Sequence, residues 1–446
     1  MSRMRIGAAV ILGLTLLSVS GWAQPADPAN AANTGARKKP PKPRGYPVLP
    51  GVYRLNGGTF ELPQEDLEPL RQIVGNATIV SLGESVHTSG GYYEMKHRLF
   101  RFLVEKMGFR AFAFETPWDD ADNLAHYVET CEGTPEQGMR GIFGVWQSAE
   151  TADLMQWMCE WNKSHKKSKD KVHFFGFDVQ QPDLDGPALL AFLERLDVGA
   201  EDPRAADVWR CNGVASPPTY DGRLSETEHQ ACLRGLDAVQ TLFDEEGPSI
   251  VERTSAVDFE YARLRLVGLR SWEGQAYYNG LDDYPGLTQS RDSGMAYAFR
   301  TLRRLRYGEK IKTAVWAHNF HIAKDAARSA WNTPTMGTYL REAFGSSYAA
   351  IALISDVTEI DWRGIGCGPL QVLRGDRAVE QLLGELGHDY LLVDLDFPGG
   401  SPAFLGAGET YRFSEVGMVP ADQYDAAVFL ERSHKMDPLR WASCTP

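Results

Sequence analysis

Two rhythms of apolar and polar positions divide this chain. Seven short runs are almost continuously apolar and rich in β-branched or aromatic residues: Ala77–Leu82 (ATIVSL), Arg110–Phe114 (RAFAF), Val172–Phe177 (VHFFGF), Lys312–Ala317 (KTAVWA), Tyr348–Ile354, Tyr390–Leu395 and Ala426–Leu430. Such runs predict strands buried on both faces, as in a parallel sheet covered by helices. Between the first two, Tyr92, Met95, Leu99, Phe102, Leu103 and Met107 recur at helical spacing and Gly108 follows directly. That pattern predicts a helix with a glycine stop, and hence a βαβ unit. From about Asp183 to Gly280 the rhythm changes to long charged helical patterns, Ser225–Glu246 and Ser255–Tyr278, with no strand runs. The fold predicted is α/β: a three-layer αβα arrangement with a largely parallel central sheet and a helical insertion. The α/β catalytic domain then falls in two parts, 46–182 and 286–446, around a cap at 183–285.

The ends of the chain change the picture. Arg3 and Arg5 precede an apolar run, Ile6 to Val19, and Gly21-Trp22-Ala23 sets small residues before a cut after Ala23. This three-part pattern predicts a secretory signal peptide at 1–23, its apolar run too short to span a membrane comfortably. The Pro- and Lys-rich stretch 24–45 predicts a disordered linker. The expected location is therefore periplasmic or secreted, with no integral span after cleavage. Loss of Arg3 and Arg5 takes the formal net charge from −13 to −15, which argues against nucleic acid or anionic lipid as partners. The six cysteines show no CxxC and no zinc spacing. In an exported protein disulfides are the first reading, and Cys211 with Cys232, flanking a Pro/Gly/Ser-rich loop, is the pair expected. For Cys131, Cys159, Cys367 and Cys444, buried free thiols are the alternative.

The candidate chemistry lies where apolar runs end. Glu84 and His87 follow the first strand, Glu115 the second, Asp178 the third, and His318 and His321 the fourth. Ligands of open α/β sheets bind outside the carboxyl ends of the strands, so four such ends converge on one edge. Glu84 beside His87 can fix one imidazole tautomer and make it a base for water, or the two can merely pack near a helix start. Glu115, directly after an apolar run, either faces a cation or has a raised pKa, and its structural alternative is an ion pair with Lys96 or Arg98 of the preceding helix. Asp178 reads as a helix cap or an orienting group. His318 and His321 flank Asn319 and read as part of the site. No GxSxG elbow, HExxH helix, P-loop or GxGxxG turn occurs, which leaves general-base activation of water, with or without a metal.

GESVHTSGGYYEMKHRLFRFLVEKMGFRAFAFET (Gly83–Thr116) closely resembles the first block of the erythromycin esterase family. KVHFFGFDVQ (Lys171–Gln180), SRDSGMA (Ser290–Ala296), KTAVWAHNFHIAKD (Lys312–Asp325), Met336–Leu340 and Asp425–Arg432 resemble its later segments in the same order. The resemblance spans roughly Thr78 to Arg440 and is weakest across the insertion. It implies an αβα core with a helical insertion, and hydrolysis of an ester such as the macrocyclic lactone of erythromycin, an antibiotic-resistance activity. It also implies that His87 is the water-activating base and that Glu84, Glu115, His318 and His321 complete the catalytic set. Lys96, Asp178 and Arg291 are the candidate substrate-binding residues. Lys96 stands where the family can have Arg, which removes the planar fork. Thr88 stands where the family commonly has Gly, which would reshape the rim.

The leading expectation is an exported hydrolase of carboxylic esters or lactones, monomeric, with a small-molecule substrate and no cofactor. In that reading Glu84 and Glu115 orient base and water, while His318 or His321 polarises the carbonyl. One alternative is a hydrolase of a non-macrolide substrate using a divalent metal, zinc or manganese, held by Glu84, His87, His318 and His321. The other is a non-catalytic envelope binding protein.

Overall fold

The computed structural model describes residues 49–211, 224–325, 332–361, 370–374, 379–398, 402, 405, 411–413 and 416–439. The predicted signal peptide and linker, with Cys367 and Cys444, lie outside the described residues. Among the described residues there are eleven strands: β1 (Val52–Arg54), β2 (Ile79–Leu82), β3 (Ala111–Pro117), β4 (His173–Asp178), β5 (Thr313–Trp316), β6 (Tyr348–Asp361), β7 (Leu370–Arg374), β8 (Tyr390–Asp394), β9 (Tyr411–Phe413), β10 (Val416–Met418) and β11 (Ala426–Ser433). Nine of them form one sheet in the order β1-β8-β11-β6-β2-β5-β3-β4, with β7 on β6, while β9 and β10 form a separate ribbon. All pairings from β11 through β4 are parallel. β8 joins β11, β1 joins β8 and β7 joins β6 antiparallel. The sheet is mixed and mostly parallel, as the apolar runs predict.

Both faces of this sheet are covered, which explains why its strands lack polar alternation. Val80, Leu82, Phe112, Phe114 and Trp316 pack on one side with Tyr92, Leu99 and Phe102 of the helix Gly90–Met107. Ile79, Ala111, Ala113 and Val315 pack on the other with Met295, Phe299 and Leu302 of the helix Tyr284–Tyr307. Gly108 ends the first helix in the left-handed conformation (φ 76°), the stop its sequence position predicts. The insertion's helices Pro182–Glu194, Glu226–Arg253 and Ala256–Gly280 bury a third cluster of their own, including Leu193, Val239 and Leu269. Arg265 pairs with Asp185 inside this part at 2.9 Å and ties it to the loop after β3 through Asp119 at 2.8 Å.

The Cys211–Cys232 disulfide is present. A second, Cys131–Cys159, replaces the free thiols held as the alternative for that pair. It ties the end of the helix Asp122–Thr130 to the helix Ala149–Ser164, with 28 residues of sequence separation. A loop of that size constrains the unfolded chain by roughly 3–4 kcal/mol. No cysteine is free among the described residues. Nor is any helix among them long and apolar enough to cross a membrane.

Candidate active site

The four strands whose ends carry ionisable groups are neighbours in the order β2-β5-β3-β4. Leu82, Trp316 and Phe114 are paired in register across three of them, so the polar residues that follow emerge at one level. β2 stops at a close approach: a Cβ on Gly83 would collide with Asn319 Oδ1. Asn319 donates its backbone N–H to Glu84 O at 2.8 Å and its Nδ2 to Leu353 O at 2.9 Å, stapling the ends of β2 and β5 to β6.

Glu84 is fully buried between two cations in waiting. Its Oε1 accepts from His87 Nδ1 at 2.7 Å, and its Oε2 accepts from Lys96 Nζ at 2.8 Å. A carboxylate acceptor places the imidazole proton on Nδ1 and the lone pair on Nε2. Nε2 has no hydrogen bond within the described structure, and the residue keeps 6% exposure, so water can reach it. Burial pulls the Lys96 ammonium down to about 8, with the Glu84 carboxylate opposing that fall. The ammonium also sits 4.3 Å over the Trp316 ring.

Aromatic and backbone contacts fix the His87 ring. Trp146 stands edge-on at 4.9 Å and donates its Nε1–H to Glu115 O at 2.7 Å. The next residue, Thr88, is fully buried and lies in the left-handed region at φ 65°. For a β-branched residue this costs about 1–3 kcal/mol, so the turn persists only because its surroundings hold it.

A second group of charges lies beside the first. Glu115 Oε1 accepts from Arg291 Nη2 at 2.8 Å, and Oε2 accepts from the His318 backbone N–H at 2.8 Å. Arg291 Nη2 also donates to Asp178 Oδ2 at 2.5 Å. Burial would raise the Glu115 carboxyl, but His321, Arg291 and His87 overcome it and hold it well below the usual carboxylate range. His321 directs Nδ1 at Asp292 at 2.9 Å and sets Nε2 3.3 Å from Glu115 Oε1. Burial works against its charge, yet Asp292 and Glu115 prevail and raise its pKa. His318 is the opposite case. Burial and the neighbouring His87 and His321 push it down to about 3, so it stays neutral. Its Nε2–H donates to Ser85 O at 2.8 Å, and its Nδ1 accepts from Phe320 N–H at 3.1 Å.

The structure brings Glu84, His87, Lys96, Glu115, Asp178, Arg291, His318 and His321 together at this edge, but several make contacts other than those expected. Lys96 and Asp178, expected on the substrate, are 0% and 1% exposed and spend their charges on Glu84 and Arg291. Arg291, 8% exposed, is the partner of Glu115 in place of Lys96 or Arg98. Arg98 instead binds Asp66 and the carbonyls of Gly57 and Pro63. With both nitrogens engaged, His318 caps a short helix and has no free N–H for a carbonyl. Thr88 forms no rim, being buried. Of the four ligands of the metal alternative, Glu84 is paired with Lys96 and His318 is engaged at both nitrogens, and among the described residues no group of three or more His, Cys, Asp or Glu is arranged to hold an ion. Asp292, Trp146 and Tyr93 were missed. Asp292 was signalled only by its place next to Arg291, and Trp146 lies in a short turn with no periodicity to read.

The curated relatives include the YbfO protein of Bacillus subtilis (strain 168), 25% identical over 299 residues, 62% of this chain and 65% of that protein. Erythromycin esterase type II of Escherichia coli is 30% identical over 115 residues, 26% of each chain. The matches thus span less than two thirds of either relative. Among solved structures, an erythromycin esterase mutant, EreC, in its open conformation superposes with a TM-score of 0.68 at 19% identity, covering 85% of this chain and 96% of that one. That likeness concerns the fold. The sequence model of the erythromycin esterase family matches residues 104–433, beginning after Glu84, His87 and Lys96, and on that match the chain belongs to the erythromycin esterase family.

Proposed function

We propose that this protein is a hydrolase that cleaves a carboxylic ester or lactone with water activated by His87. One observation carries the reading: Glu84 holds His87 Nδ1 at 2.7 Å, itself fixed by Lys96, while Nε2 stays unengaged and reachable. A water on Nε2 gives up its proton there as its oxygen bonds to the carbonyl carbon. The negative charge passes to the carbonyl oxygen, where the Arg291 guanidinium offsets it. Collapse breaks the bond to the alkoxide, which takes the proton back from His87. An acid and an alcohol result, as one hydroxy acid when the substrate is a lactone. Nothing in this sequence requires a metal.

Membership of the family and the E. coli relative's name favour lactones as substrates. Export to the periplasm or medium belongs to the same proposal, supported by the pattern at residues 1–23 and by two disulfides, bonds that persist in oxidising compartments. The test incubates the purified protein with macrolides, other lactones and aryl esters and follows mass. A gain of one water on members of one class, unaffected by a chelator, is expected. No hydrolysis across all three classes would remove the activity, and loss on chelation would restore the metal reading.

A further inference from the structure

We propose that Tyr93 is a positioning residue for His87: its hydroxyl holds the left-handed turn at Thr88 and thereby sets the direction of the imidazole. The proposal builds on the reading of His87 as the base. The segment from Ser85 to Thr88 bends as His87 meets Glu84, and Thr88, next to His87, lies in the left-handed region at φ 65°. A threonine fits this region poorly. Its own Oγ1 is buried with no hydrogen-bond partner, so the side chain does not hold the turn. The backbone is held from outside. Thr88 N–H donates to Tyr93 Oη at 2.8 Å, and Thr88 O accepts from Met436 N–H at 3.1 Å.

The same hydroxyl reaches the other side of the base. Tyr93 Oη donates to Val145 O at 2.8 Å, and Val145 precedes Trp146, whose ring stands edge-on to His87. One oxygen joins the turn behind the imidazole to the segment that walls it. Burial, with Glu84 and Glu115 nearby, keeps the phenol protonated far beyond neutral pH, so the bond to Val145 persists. The ring packs at 5.0 Å from Trp316 and 5.7 Å from Trp146, contacts that do not need the hydroxyl. Without it, a buried N–H and a buried carbonyl both lose their partner. The turn is then free to relax toward negative φ, and the imidazole swings off Glu84.

Tyr93→Phe keeps the ring and removes only this link. On the ester or lactone found by the screen, kcat should fall about 10- to 100-fold, the scale of a roughly 1 Å misplacement, with KM near wild type and a modestly lowered melting temperature. Adding Thr88→Gly should recover kcat by roughly threefold or more, because glycine adopts the same φ without strain. NMR of histidine-labelled protein, with His87 assigned through His87→Gln, reads the ring directly. Its resonance should shift or broaden in Tyr93→Phe and return in the double variant. Wild-type kcat in Tyr93→Phe, or a fall in kcat with an unmoved His87 resonance, overturns the proposal. If no ester is hydrolysed by the wild type, the hydrolase reading falls, while the NMR arm still decides whether Tyr93 sets His87.

Discussion

Two histidine–carboxylate groups stand side by side at this sheet edge and use the same residue types in opposite ways. In the first, Glu84 lies between His87 and Lys96, and one imidazole nitrogen is left over. In the second, Arg291 is shared among Glu115, Asp178 and His321 Nε2, His321 Nδ1 is held by Asp292, and His318 is tied at both ends. A buried charge network that is fully satisfied rigidifies its surroundings. A network one bond short offers a site for chemistry. The contrast assigns reaction to the first group and the fixed frame and field to the second.

The comparison breaks most sharply on turnover. His87→Ala should lower kcat by about 10²–10⁴-fold, the usual contribution of a general base, with little change in the unfolding midpoint. Retained hydrolysis in a folded His87→Ala protein would show that the unengaged nitrogen is not the base. Arg291→Ala should lower kcat too, by removing the cation beside the oxyanion, but its larger effect is on stability. It leaves Glu115 and Asp178 as buried anions without their cation, costing about 3–5 kcal/mol in denaturant unfolding. A loss below about 1 kcal/mol, the range of an exposed pair, would remove the framework role.

How much of this could be read in the sequence follows from range. The seven runs became strands because burial on both faces writes itself into consecutive residues. β1, β9 and β10, three residues each, are too short to leave such a mark. β6 runs on to Asp361 through an alternating tail that pairs with β7 at the sheet's margin, and the apolar run gave no hint of it. The four strand ends announced Glu84, His87, Glu115, Asp178, His318 and His321, since a polar residue directly after a buried run must be accounted for. Partners were another matter. Lys96 and Arg98 are two apart on one helix and face different ways, so sequence proximity to Glu115 was a poor guide. Its actual partner, Arg291, is 176 residues on. Asp292 looked like one more surface charge in a polar helix until His321 and the Met336 N–H closed on it.

The smallest effect distinguishes the two groups by the sign of their pH dependence. Glu115 sits well below its ordinary 4.5, so its stabilisation is present above that value and is lost as pH falls through the folded one. His321 sits above its ordinary 6.5, so its stabilisation is complete below 6.5 and is lost as pH rises through the folded value. The second group is thus fully effective between 4.5 and 6.5 and weakens above. Lys96 behaves oppositely. Its folded value of about 8 lies below the ordinary 10.5, so burying its charge costs most below 8 and progressively less between 8 and 10.5. Denaturant midpoints across a pH series should therefore show wild type losing stability relative to His321→Gln as pH rises from 6.5, and gaining relative to Lys96→Met above about 8. Wild-type and His321→Gln curves that run parallel above 6.5 would mean that Asp292 and Glu115 do not favour a second proton on His321 in the fold.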